Sequence, residues 1–222
     1  MDHRQLLAQT RTALLRDDLA LADDLARQAG PLAEQLSDGD AAADAMGLLA
    51  TVALTRGDAT KARYWWLQAL ERALVADAWP VALDAQRGLA LVDRAAGLAD
   101  HAETRLRTVL ADAIQLGLMG HAQACRLDLA RWALERLDVA TAVDELSVLL
   151  ADPDVLDPGV RGEAGLVRAQ LLVMAGDVDA AVDAVDQAVT WLHTAGHVRC
   201  LQAGLQLQAQ MWALAGITEN TA

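Results

Sequence analysis

The amino-acid sequence predicts an all-α fold built from repeated helical hairpins, on two observations. Apolar residues recur at helical spacing, and a set of small and turn-forming residues returns about every 40 positions. Trp66, Ala69, Leu70, Ala73 and Leu74 illustrate the three- and four-residue steps that put apolar side chains on one helix face. No strand-like alternation of useful length interrupts them. With 54% apolar residues in 222, the chain can bury a sizeable core.

The repeat is carried by particular residues. Ala50/Gly57, Ala90/Gly97, Ala169/Gly176 and Ala209/Gly216 each set a small residue seven positions before a glycine, and Ala130 with Leu137 fills the gap with Leu where Gly is expected. The successive alanines are then 40, 40, 39 and 40 residues apart. Alanine lets two helix backbones approach closely, and glycine ends a helix because it takes the left-handed conformation without steric cost. A second small residue, Ala62, Ala102, Ala142 or Ala181, follows five positions after the stop, and Asp58, Asp138 and Asp177 stand where they can cap the next helix. Breakers at Gly39, Pro80, Gly120, Pro158-Gly159 and Gly196 separate one hairpin from the next. Extrapolating backwards places Ala22 in a leading unit. The expected units lie near residues 3–42, 43–82, 83–122, 123–161 and 162–201 of one repeat domain over 1–222, with a lone helix at about 197–216 covering the exposed end.

The small residue, the glycine, the later small residue and the large apolar one after it (Trp66, Leu106, Leu146, Val185) resemble the tetratricopeptide repeat over nearly the whole chain. Trp66 fits the aromatic position of that pattern. Leu106 and Val185 depart from it, as do Ala53 and Trp212 where the first helix usually carries Tyr. The period of about 40 is similar to longer bacterial variants of the repeat. The resemblance implies a right-handed superhelical solenoid of about five helical hairpins plus a C-terminal capping helix, with first helices on the concave face and second helices on the convex one.

In that register the first helices send Arg4, Leu7 and Arg11, then Asp44, Gly47 and Thr51, then Asp84, Arg87, Leu91 and Arg94 into the groove. Further along come Leu127, Arg131 and Glu135, then Glu163, Leu166 and Gln170, and finally Gln206 and Gln210. Most other acids, such as Asp179 and Asp183, fall in turns or second helices. The partner-binding residues expected are therefore Arg11, Arg87, Arg94, Arg131, Gln170, Gln206 and Gln210. Guanidinium groups grip carboxylate or phosphate in a two-pronged fashion, so they suit a protein or peptide partner with an acidic segment. The bland alternative is that the arginines pair with Asp84, Glu135 and Glu163 in the same groove.

A formal charge of -13 argues against general affinity for nucleic acid or anionic membrane. The start Met1-Asp2-His3-Arg4 has no signal-peptide pattern, and no apolar run approaches the roughly 18 residues of a membrane helix. With two cysteines, too few for a disulfide framework, these features lead us to expect a cytoplasmic protein. A single lysine, Lys61, among 18 basic residues points to a GC-rich bacterial genome. His193, His197 and Cys200 have metal-ligand spacing, as do His121 and Cys125, but Gly196 interrupts the first set and no fourth ligand is evident, so no metal or cofactor is expected. The acidic turn 152–159 lacks the distal Glu of a calcium loop and reads as a connector. Trp65, beside the core-facing Trp66, is the tryptophan expected at the surface. Without a phosphate loop, a GxSxG elbow or an HExxH helix, an enzyme is not expected. The leading expectation is a non-enzymatic scaffold holding a peptide or partner helix. The alternative is a regulatory sensor that binds a small ligand or self-associates as a homo-oligomer, resembling the superhelical portions of bacterial transcription activators.

Overall fold

The computed structural model describes residues 2–152 and 156–216, and the regular elements among them are eleven α-helices. In chain order these are α1 (His3–Leu15), α2 (Leu19–Gln35), α3 (Gly39–Thr55), α4 (Ala59–Val75), α5 (Trp79–Ala95), α6 (Ala99–Gln115), α7 (Met119–Glu135), α8 (Val139–Leu149), α9 (Pro158–Met174), α10 (Val178–Ala195) and α11 (Val198–Leu214). None of them is long and apolar enough to cross a membrane.

One three-residue turn, used repeatedly, generates this regularity. Its middle residue is left-handed: Asp17, Ser37, Gly57, Asp77, Gly97, Gly117, Leu137 and Gly176 all have positive φ. The third residue then donates its backbone N–H to a carbonyl five positions back, as Asp38 does to Ala33 and Asp58 to Ala53, each at 2.9 Å. That bond satisfies one of the carbonyls a helix end leaves open. The same third residue caps the next helix. Asp18, Asp38, Asp58, Asp138 and Asp177 each accept a hydrogen bond from the backbone N–H three positions on. One aspartate thus closes one helix and opens another.

The sequence identified these turns at Gly57, Gly97, Leu137 and Gly176, between first and second helices. The turns from second helix to next first helix, at Ser37, Asp77 and Gly117, carry three different residues in the left-handed position. The breakers Gly39, Pro80 and Gly120 lie just after those turns, in the first turn of α3, α5 and α7. Unit limits drawn at residues 42, 82, 122 and 201 therefore fall inside helices.

The chain divides into two compact units, Met1–Cys125 and Arg126–Ala222. In the first unit each helix from α1 to α6 packs on the next, and α3 also touches α1 and α5. Being flanked on several sides, α3 buries ten residues where its partner α4 buries four. In the second unit α8 packs on α9, α9 on α10 and α10 on α11, while α9 also meets α11. Most of the small residues do what their spacing suggests: Ala50, Ala90, Ala130, Ala169, Ala62, Ala102, Ala142 and Ala181 are fully buried, whereas Ala209 of α11 is exposed. The ring of Trp66 lies between Gly47 of α3 and Gly88 of α5. A Cβ at Gly88 would stand 2.1 Å from the indole, and one at Gly47 2.9 Å from it.

Candidate functional site

First helices buried on three sides keep one stripe open to solvent. On α5 the residues Ala82, Leu83, Ala85, Gly88, Leu89, Ala90, Val92 and Asp93 are buried, whereas Asp84, Arg87, Leu91 and Arg94 are not. The open positions step by three and four along one face. On α3 the open positions include Asp44 and Thr51, and on α9 they include Glu163, Leu166 and Gln170. Gln206 and Gln210 of α11 are exposed, as is Arg11 of α1, and Arg131 of α7 is half-buried. Three residues of the expected groove belong to the core instead. Leu7 and Leu127 are buried among apolar neighbours, and Gly47 is covered by Trp66. At Gly47 the covering side chain comes from the second helix α4.

Much of the charge on this stripe is already matched within the chain. In the first unit Arg11 bridges to Asp44, and His121 to Asp84 at 3.4 Å. Burial pushes the Asp44 carboxyl upward against the pull of Arg11, and the nearby Asp84 adds to the rise. The hydrogen bond it donates to the Asp84 carboxylate holds the His121 imidazole above its ordinary range, while burial and Arg87 oppose it. In the second unit Arg131 bonds Glu163 and lies 3.9 Å from Asp128. The bland alternative thus holds for Arg131, which meets Glu163 as the sequence allowed. Asp44, Asp84 and Glu163 each occupy the sixth position of their helix.

Sequence reasoning also missed two constellations. Asp93, in the last turn of α5, is 1% exposed and receives Arg63 at 2.7 Å, the His101 Nδ1 at 2.9 Å and Arg105 at 3.2 Å. Burial pushes its carboxyl up, yet the bonds from Arg63 and His101 prevail and hold it below the usual range. This knot ties α4, α5 and α6 together and is structural. The second constellation lies in the second unit. His197 and Cys200 come together as their spacing suggested, but His193 is exposed elsewhere, and the third donor is Glu163 of α9. One ligand atom from each of Glu163, His197 and Cys200 lies within 4.8 Å of the others. Burial raises the Cys200 thiol to about 11, with the Glu163 carboxylate adding to the rise and Arg131 opposing it.

The second-helix side carries clefts and aromatic residues. One cleft of about 290 Å³ in the first unit is lined by Arg27, Pro31, Glu34, Met46, Leu49 and Trp65. Trp65 is half-buried there and meets Tyr64 edge-on, with ring centroids 5.1 Å apart. The exposed tryptophan is Trp79, at the first position of α5, and not Trp65. A shallower apolar cleft of about 470 Å³ in the second unit lies between α8 and α9, lined by Val143, Leu146, Leu150, Leu171 and Leu172. The acidic turn at 152–159 falls partly outside the described residues; within it, Asp157 caps α9 by accepting from the Gly159 N–H.

No family model matches this sequence, and no curated protein sequence matches it. Among solved structures it is similar to the crystal structure of BtubC (BKLC) from P. vanneervenii, at 16% identity and a TM-score of 0.60. The match covers 95% of this chain and 94% of that one, and at such identity it is a likeness of fold: consecutive packed helices in a repeat-like arrangement.

Proposed function

We propose that this protein is a non-enzymatic interaction scaffold of the tetratricopeptide kind. Five helical hairpins and a closing helix would form a right-handed superhelix that holds a peptide or partner helix along its first helices. The observation that carries this reading is the open stripe of Asp84, Arg87, Leu91 and Arg94 on α5, matched on α9 and α11 by Gln170, Gln206 and Gln210. Arginine and glutamine on rigid helices offer donors that match carboxylates and peptide carbonyls, and a rigid surface limits the entropy lost on binding. Where Arg11 and Arg131 already hold Asp44 and Glu163, an acidic ligand must compete with an internal carboxylate. The exposed glutamines Gln170, Gln206 and Gln210 add neutral donors and acceptors beside the arginines of the stripe.

Photocrosslinking tests the reading. A crosslinking amino acid at Gln210, on the stripe, should join the partner after affinity capture from the native host, and one at the exposed Gln187 of α10 should not. The reverse result would place binding on the second helices and refute the proposal.

A further inference from the structure

The chemistry of Glu163, His197 and Cys200 goes beyond peptide binding and does not depend on it. At the position where the repeat turn supplies an aspartate cap, α11 has His197, and its side chain makes no capping hydrogen bond. The imidazole instead turns toward α9, with Nδ1 3.7 Å from the Glu163 Oε1. Gly159 lies beside the ring, where a Cβ would come within 3.4 Å of it. Cys200 is three residues further on, so one turn of helix carries both donors on one face. Arg131 holds the other Glu163 oxygen, Oε2, which orients the carboxylate and leaves Oε1 toward His197. All three residues are partly buried, and they come from two helices that pack together within the second unit.

We propose that Glu163, His197 and Cys200 form a binding site for a divalent transition-metal ion of the zinc class, with water as the fourth ligand and Arg131 as the residue that positions Glu163. A thiolate, an imidazole and a carboxylate are donors that such an ion takes in tetrahedral geometry. The arrangement of an outer group orienting a ligand carboxylate is the usual one around bound metals. Binding requires Cys200 to lose its proton, which passes to solvent, so one proton leaves for each ion bound. Thiolate and carboxylate together balance the charge of the ion. The ion would pin α11 to α9.

Titrating the full-length, metal-stripped protein with Co²⁺ provides the test. One equivalent should produce a thiolate-to-cobalt charge-transfer band in the near ultraviolet and tetrahedral d–d bands in the visible. Zn²⁺ should abolish both and raise the melting temperature. Cys200→Ser should lose the charge-transfer band, and His197→Asn should weaken Co²⁺ binding at least tenfold, while Cys125→Ser and His193→Ala should bind as wild type. Circular dichroism of each variant checks folding. Wild-type protein that gives no thiolate band, or a band that survives in folded Cys200→Ser, overturns the proposal, and neither result depends on partner capture.

Discussion

At the residue scale, two positions separate room from conformation as the reason for glycine. Gly88 needs space: replacing it by Ala would drive a methyl group into Trp66, and overpacking of this kind costs about 1–3 kcal/mol. Gly120 also lies in a helix, but a Cβ there meets nothing within 4 Å, so Gly120→Ala should gain up to about 1 kcal/mol from helix propensity. Thermal melts of the two variants should shift in opposite directions, and a common gain would mean that Trp66 does not occupy that space. Leu137 shows the converse. Its φ is +60°, and the side chain is 72% exposed, so it has left-handed strain with little burial in return. Leu137→Gly should melt at the same temperature or higher; a fall of several degrees would show that the side chain contributes packing. The sequence revealed Leu137 because four other repeats have glycine at that register. It did not reveal why Gly47 and Gly88 are glycines, since the indole they admit comes from another helix.

At the element scale, the three-residue turn decides what was legible. Helices ending in Gly57, Gly97 and Gly176 could be read directly, whereas those ending in Ser37 and Asp77 could not, because polar residues tolerate the left-handed region without being unique to it. Glu163 could not be joined to His197 and Cys200 from spacing, as their proximity depends on α9 and α11 packing together. Asp38 illustrates how much one turn residue can hold. It caps α3 and accepts from the His3 Nε2 and from Arg4, each at 2.9 Å, tethering α1 to the start of α3. The bonds from His3 and Arg4 lower its carboxyl to about 2. A carboxyl depressed on folding stabilises the folded state above its unfolded pKa of about 4, and that stabilisation is lost as the pH falls toward the folded value. Asp38→Asn should therefore melt below wild type at neutral pH, with the two curves converging as the pH approaches 2; a constant difference would contradict the tether. The terminal helix α11 is held by Asp186 of α10, which accepts from Gln208 at 2.8 Å and from the Trp212 indole at 3.2 Å, while Met211 packs against Val182 and Val185. Ending the chain after Gly196 should uncover those valines and cause aggregation. A soluble truncated protein with an unchanged melt would mean that α11 does not cover the core.

At the scale of the whole molecule, the pattern of charge distinguishes structure from recognition. Arg131 is tied to Glu163 and Asp128, and removing it would leave two acids uncompensated, so its loss would confuse folding with binding. Arg87 and Arg94 share the open stripe of α5, and the melt of their double variant reports any change in folding separately from binding. Asp179 and Asp183, exposed on α10, serve as the control for charge alone. The most direct test of the scaffold reading is the affinity of the partner captured from the native host for the double variant Arg87→Ala/Arg94→Ala, compared with Asp179→Lys/Asp183→Lys. Charge-assisted hydrogen bonds contribute about 1.5–3 kcal/mol each, and about 1.4 kcal/mol is a tenfold change in affinity. The arginine variant should therefore bind at least tenfold more weakly with its melt nearly unchanged, and the aspartate variant should bind as wild type. Full binding by the arginine variant, together with loss of binding on replacing Trp65, would contradict the account and move the binding face to the second helices.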